Sequence, residues 1–371
     1  MGSFIKDKIS RVDPLMFACT SVLSLISIIV IFGARNSEFG GTRTIVMQIA
    51  MTVFGLLMMI LLANVDYGNV PPWFFFLIYG FSAFLLVLLL FFGENAGENI
   101  GWINVPIINI SIQPSEFIRA SFILTFAKHL SLVKDDINRP KTLLGLAAHA
   151  GFMLMLLLLT GDLGMTLVYV GIIAVMLFCS GLSVWYFLAG GGLLIAAFPF
   201  VWDLLATYQQ KRIIVGFNPD IDPTDWGRQQ IQSRAAIAGG GFFGRGVEGA
   251  GSFEGMYGCI TDFFFSSYAE MFGFFGSIIL IGLLVFLVVR LIKLAVSSRD
   301  SFSALFLTGV AGMIVIQTVE NIGMCLCLLP VVGITLPFLS AGGSSVLSIY
   351  MIIGIAHGMS GNSQKKSRHL L

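Results

Sequence analysis

The stretch LPFLSAGGSS, Leu336 to Ser345, sets a proline, two adjacent glycines and three serines close to the last apolar segment of the chain. In hydrocarbon an unpaired peptide group is costly, so irregular backbone at that depth survives only where protein buries it or a watery cavity receives it. Working outward, the chain has 371 residues, 57% hydrophobic and 11% charged, with a mean hydropathy of +0.92. These values belong to a membrane protein and exclude an ordinary soluble domain.

A spanning helix needs about 20 mostly apolar residues. Ten stretches qualify, at 14–33, 44–64, 70–93, 114–133, 142–160, 163–181, 183–205, 264–291, 302–328 and 334–358. The expected fold is an all-α polytopic membrane protein forming a single domain over 1–371. One large extracytoplasmic loop, about 206–263, separates spans seven and eight, and tails 1–13 and 359–371 are cytoplasmic. The 34 phenylalanines suit lipid-facing and interhelical surfaces.

Charge sets the orientation. Lys6, Lys8 and Arg11 precede span one; Lys134, Arg139 and Lys141 lie between spans four and five; Arg290, Lys293 and Arg299 follow span eight; Lys365, Lys366 and Arg368 end the chain. With ten spans all four groups share one side, which the positive-inside rule makes cytoplasmic, with Arg35 and Arg43 as short-loop exceptions opposite. The basic head precedes an apolar segment of full spanning length without a small-residue cleavage site, which reads as a retained anchor. Cys19, Cys179, Cys259, Cys325 and Cys327 show no disulfide or metal spacing and read as small core residues. His129, His149, His357 and His369 are scattered, and no zinc site is expected. No nucleic-acid partner is expected either.

Within the large loop, RQQIQSRAAIAGGGFFGRG (Arg228 to Gly246) reads as a short amphipathic helix ended by Gly239 to Gly241 and packed on the outer membrane face. Ionisable residues at or within spans are functional candidates, because leaving them unpaired there is costly: Glu116, Arg119, Asp162, Asp262, Glu270 and Glu320. Glu116 and Arg119, three apart, are neighbours on one helix face and can neutralise each other. Thr261 or Asp262 is placed to cap span eight. A capping carboxylate lies in the helix dipole with a lowered pKa, a poor proton acceptor unless burial or substrate raises the value again. Glu270, eight residues deeper, suits a packed polar contact between helices.

Several strings, in this order, resemble the SEDS proteins (shape, elongation, division and sporulation): QPSEF (Gln113 to Phe117), DLG (Asp162 to Gly164), YQQKR followed by NPDIDP, QQIQS, TDFFFSSYAEMFG, and NIGMCLCLLPVVGITLPFLSAGGSS (Asn321 to Ser345). The resemblance covers essentially the whole chain. It implies a peptidoglycan glycosyltransferase that polymerises lipid II at the outer face of the bacterial cytoplasmic membrane. The implied partners are a class B penicillin-binding protein and other elongasome or divisome membrane proteins. It also implies that Asp262, in the T-D-F motif, is catalytic. The family's K-G-A-x-R-W tryptophan falls on Trp102, and its Q-P-S-E-x-x-K motif on Gln113, Pro114, Ser115, Glu116 and Arg119. Ser340, Gly342, Gly343 and Ser344 belong to the C-terminal signature. The departures are GENIG before Trp102, which lacks the usual lysine and arginine, Thr160 and Gly161 before Asp162, Met271 for a second acid, and Ala341 in S-Y-G-G.

Glycan polymerisation needs a base at the acceptor hydroxyl and positive charge or a divalent cation at the leaving diphosphate. Asp262 is the expected base, or alternatively a ligand for Mg or Mn, which would suit a lowered pKa better. Arg212, Arg228, Arg234 and Arg245 are candidate phosphate contacts by their bidentate geometry, with solvated loop charge as the alternative. The rival readings are a lipid-linked precursor transporter, which Gly/Pro-broken spans would suit, and a scaffold without catalysis. Charges gathered near the outer ends of spans favour surface chemistry.

Overall fold

The computed structural model describes residues 12–37, 40–96, 99–105 and 110–368; Lys6, Lys8, Arg11 and His369 lie outside them. The helices are α1 (Pro14–Gly33), α2 (Thr42–Ala63), α3 (Pro72–Phe92), α4 (Pro114–Val133), α5 (Pro140–Leu159), α6 (Leu163–Cys179), α7 (Val184–Leu204), α8 (Thr207–Phe217), α9 (Arg228–Gly240), α10 (Phe264–Val296), α11 (Ser301–Cys325) and α12 (Gly343–Arg368). Prolines open α1, α3, α4 and α5, where the missing N–H is an orphan of the first turn anyway. Asp13, Asp162 and Asp300 cap α1, α6 and α11 by accepting backbone N–H groups.

Every expected span is occupied by a helix. Among the described residues seven helices are long and apolar enough to cross a membrane on their own, and α6 and most of α7 are shorter apolar helices. α4 fills the remaining stretch, and it buries its polar residues Ser115, Glu116, Arg119 and Thr125 inside the protein. The chain is a multi-pass membrane protein. α11 and α12 are central, with 67% and 78% of their apolar windows buried against 22% for α2 and α3. Close packing of α12 on α2 uses glycines, as Gly55 faces the Tyr350 ring and Gly354 faces Met59.

The structure corrects four expectations. The last helix begins at Gly343, because 334–342 is non-helical. The 94–113 loop forms a small antiparallel sheet of β1 (Glu94–Ala96), β2 (Asn99–Val105) and β3 (Ile110–Ile112), in the order β1-β2-β3. α10 is broken at Gly273 (φ 67, ψ −164), so its first turns form a short segment set off from the rest of the helix. α9 ends at Gly240 as expected, but the face it buries is Gln230, Ser233, Ala236 and Gly240. That face is polar and small, and it meets protein: Ser233 bonds Ser266 of α10 at 2.5 Å, and Gly240 abuts the Ala269 backbone.

Candidate active site

LPFLSAGGSS closes over the peptide that carries Asp262. Ser340 Oγ donates to the Thr261 carbonyl (2.5 Å) and accepts from Leu336 N–H (2.8 Å). Ala341 N–H donates to the Ile260 carbonyl (2.8 Å). Fully buried Asn321 of α11 donates through Nδ2 to the carbonyls of Asp262 and Ile334, each at 2.7 Å. Gly333, at φ 71, backs the carboxylate: a Cβ there would stand 3.5 Å from Asp262 Oδ2. Irregular backbone in this region is thus satisfied by side chains and by the Asp262 turn itself, as its burial requires.

The helix-cap expectation for Thr261 or Asp262 does not hold. α10 starts after Phe263, which has no side-chain cap, and Thr261 Oγ1 turns back to the Gly258 carbonyl (3.4 Å). Without the dipole contact the expected lowering of the Asp262 pKa is reversed. Burial pushes the carboxyl up to about 6; the Thr261 hydrogen bond and the Arg212 charge oppose the shift, and Asp162 adds to it. Asp162 is itself raised to about 6, first by burial and also by Glu116, against the Met165 N–H bond and Arg212. Two carboxylates and one guanidinium, from the α5–α6 turn, the α10 approach and α8, therefore act on one another.

Arg212 also faces a polar cavity of about 470 Å³ within the large loop, lined among others by Thr224, Asp225, Trp226, Arg228, Gln229 and Tyr257. Among the described residues neither Arg212 nor Arg228 is in a salt bridge, so two guanidinium groups remain for an anionic ligand. Trp226 and Tyr257 escaped the sequence reading: NPDIDP and QQIQS mark the neighbourhood, but no spacing relates residues 226 and 257. Gln230 holds the cavity wall together, donating to the carbonyls of Gly216 (3.0 Å) and Leu329 (3.3 Å).

The other expected residues divide by what they touch. Glu116 and Arg119 form a buried pair at 2.5 Å, and Ser348 donates to Glu116 at 3.2 Å. Ser344 Oγ accepts from Gln113 N–H (3.1 Å), joining the start of α4 to that of α12 beside Gly342 and Gly343. Arg119 and Ser340 line a common cavity of about 10 Å³ with Gln317, which links the α4 motif to the segment holding Asp262. Trp102 stands on β2, whose Ile100 N–H donates to the Thr160 carbonyl next to Asp162 (3.0 Å). Glu270 is an anchor for the loop, accepting from Gly251 N–H (3.2 Å), Ser252 N–H (3.1 Å) and Arg245 (3.3 Å). Arg245 is thereby committed to structure, and Arg234 is exposed and paired with Asp220 at 3.5 Å. The structure brings neither to Asp262. Glu320 stays partly buried on α11, its Oε2 without a hydrogen bond among the described residues.

Comparison with known proteins agrees with this architecture. The sequence model of the FtsW/RodA/SpoVE cell cycle proteins matches residues 12–365. Stage V sporulation protein E of Bacillus subtilis is 34% identical over 359 residues, covering 92% of this chain and 95% of that protein. Peptidoglycan glycosyltransferase MrdB of Escherichia coli is 32% identical over 355 residues, covering 94% and 93%. Among solved structures, a chain from a study of the structural coordination of polymerization and crosslinking by a peptidoglycan synthase complex has a TM-score of 0.78 at 30% identity, over 91% of this chain and 96% of that one. The chain belongs to the FtsW/RodA/SpoVE family of cell cycle proteins.

Proposed function

We infer that this chain is a peptidoglycan glycosyltransferase, which polymerises lipid II into glycan strands at the outer face of the bacterial cytoplasmic membrane for cell-shape, division or sporulation wall synthesis. Family membership and the likeness to MrdB support the reaction class. One observation carries the assignment of residues: Asp262 and Asp162, both raised to about 6, share Arg212 with a polar cavity.

The acceptor sugar's 4-hydroxyl attacks C1 of the donor sugar. The bond from C1 to the polyprenyl diphosphate breaks, and the diphosphate leaves with the electron pair. The hydroxyl proton passes to Asp262. A carboxyl near 6 is ionised at neutral pH yet more basic than an ordinary aspartate, which suits a general base. Arg212 and Arg228 hold the diphosphate with forked N–H donors, the task left open by the missing lysine and arginine before Trp102. Trp226 and Tyr257 offer flat faces to the sugar rings. Asp162 keeps the Asp262 value up.

A divalent cation such as Mg or Mn takes carboxylate and phosphate oxygens together, and Asp262 is the residue that would hold it; when bound it would neutralise charge on the diphosphate. A class B penicillin-binding protein is the expected partner, alongside other elongasome or divisome membrane proteins. Support comes from the similar chain, whose complex joins polymerization to crosslinking. The basic groups at one set of helix ends support cytoplasmic termini.

The test is polymer formation from lipid II by the purified protein with a candidate partner whose transpeptidase is blocked. Product that disappears with Asp262→Asn supports the reading. A folded complex that gives no product but moves lipid II across liposomes is a transporter, and one that does neither is a scaffold. Titrating Mg or Mn in the same assay separates a cation-holding Asp262 from a cation-free base.

A further inference from the structure

A second cavity, of about 430 Å³, lies between α3, α4 and α5, lined among others by Tyr79, Lys128, His129, Leu132, His149 and Phe152. Lys128 is 15 residues along α4 from Gln113, about 22 Å at 1.5 Å per residue, so this cavity is at the other end of the bundle from Asp262. It opens sideways: Phe76 and Leu132 on its lining are 79% and 70% exposed, which in a membrane means facing acyl chains.

Its floor is polar. Nδ1 of His129 and Nδ1 of His149 are 3.1 Å apart, with the rings stacked at a centroid distance of 5.3 Å. The two histidines that looked scattered in sequence are therefore partners. His149 is held further by Tyr79, whose hydroxyl donates to its carbonyl (2.7 Å), and by Thr125 (3.4 Å to Nε2). Nε2 of His129 makes no hydrogen bond to any described residue. On the same lining the Lys128 ammonium lies 5.6 Å from the Phe75 ring centroid and 5.2 Å from that of Phe302. Among the described residues no carboxylate pairs with Lys128. A lysine at membrane depth normally finds an anion, and aromatic faces replace only part of one.

The chain following α4 adds Lys134, Arg139 and Lys141 at the same end, against Asp135 and Asp136, the latter paired with Arg139 at 3.0 Å; the remaining basic excess at the cytoplasmic surface attracts anionic lipid headgroups. An apolar flank open to acyl chains, a cation without a carboxylate, and an imidazole nitrogen free on the same lining are complementary to one class of molecule. We propose that this cavity binds an anionic phospholipid, with its phosphate on Lys128 and His129 and an acyl chain along Phe76, Leu132 and Phe152.

The test uses the full chain in a zwitterionic detergent, with lipid retention read by native mass spectrometry and thermal stabilisation. The probes are phosphatidylglycerol, phosphatidylcholine of the same acyl chains, and glycerol 3-phosphate. Phosphatidylglycerol should bind at least about tenfold more tightly than phosphatidylcholine, which carries the same phosphate but also a choline cation that the Lys128 ammonium repels, a difference of about 1.4 kcal/mol. Glycerol 3-phosphate should bind weakly, for want of the chain. Lys128→Gln should abolish the preference while Lys128→Arg keeps it, which separates lost recognition from lost folding. Equal binding of the two lipids, a preference that survives in Lys128→Gln, or binding of glycerol 3-phosphate as tight as that of the lipid would overturn the proposal. None of these readouts depends on polymerisation.

Discussion

At the scale of single residues, burial suits Asp262 to its proposed use as a base and also sets its cost. Its folded pKa of about 6 lies above the ordinary aspartate value near 3.9. Ionisation is therefore unfavourable in the folded state: the penalty is absent below about pH 4, grows between the two values and is complete above about pH 6. Asp262→Asn is expected to abolish polymerisation while raising stability by about 1–3 kcal/mol at neutral pH. Parallel polymer assays and thermal unfolding at pH 4.5 and 7.5 check both parts, with the stability gain largest at the higher pH. The rate of the unmodified protein should rise with pH through an acidic limb near 6. Arg212 opposes the upward shift and Asp162 adds to it, so Arg212→Gln should move that limb to higher pH and Asp162→Asn to lower pH. Arg228→Gln should leave the limb in place and reduce kcat/KM by about tenfold or more, the worth of a hydrogen bond to a charged group. A limb that stays fixed in both the Arg212→Gln and the Asp162→Asn variants would remove Asp262 as the titrating base.

At the scale of elements, the re-entrant segment is a brace for one peptide. Phe338 has φ 66, a conformation that costs a non-glycine residue about 1–3 kcal/mol and persists only where the surroundings enforce it. Here its ring packs edge-on against Tyr350 at 5.6 Å, and Tyr350 bonds Ser24 at 2.6 Å. Ser340→Ala removes both the Leu336 and the Thr261 hydrogen bonds while changing little volume. The expected result is a protein that folds and inserts normally but polymerises about 10–100-fold more slowly, by release of the Asp262 peptide from its position, read as a loss in kcat with the pH limb retained. The break at Gly273 does related work for the loop. Phe274 and Phe275 donate to the carbonyls of Gly241 and Phe242 at 2.9 and 3.1 Å, and a Cβ at Gly273 would run into the backbone of Phe242 and Gly244. Gly273→Ala should free residues 239–246 and raise their protease sensitivity before any change in global unfolding.

At the scale of the whole molecule, the end remote from Asp262 is tied by Asp13, which receives Arg290 of α10 and donates its N–H to His357 Nδ1 of α12 at 3.0 Å. Burial pushes the Asp13 carboxyl up, but the hydrogen bonds from Arg290 and Met16 outweigh it and hold the pKa below the usual value. Its contribution is therefore present above about pH 4 and lost as pH falls through the lowered value. Arg290→Met, which leaves that buried carboxylate unpaired, should cost about 3 kcal/mol in thermal unfolding, and adding Asp13→Asn should restore part of it. Much of this molecule is legible in order along the chain. Long apolar runs mark the helices because the force behind them acts locally, between a segment and its solvent, whereas the one helix cap expected from the sequence, at Thr261 or Asp262, does not form. The T-D-F string and the C-terminal signature marked Asp262 and its brace for the same reason, being local and ordered. The kink at Gly273, the small sheet and the raised Asp262 value were not legible. Nor were the commitment of Arg245 and Arg234 to structural pairs, the cavity joining Arg212 to Tyr257, or the meeting of His129 with His149. The sequence by itself determined the family, its membrane-spanning helices and the strings along the chain to which the proposed chemistry is assigned. Only the tertiary structure decided which charges meet and how deeply each is buried, because desolvation and Coulomb coupling depend on distances between segments far apart in the chain.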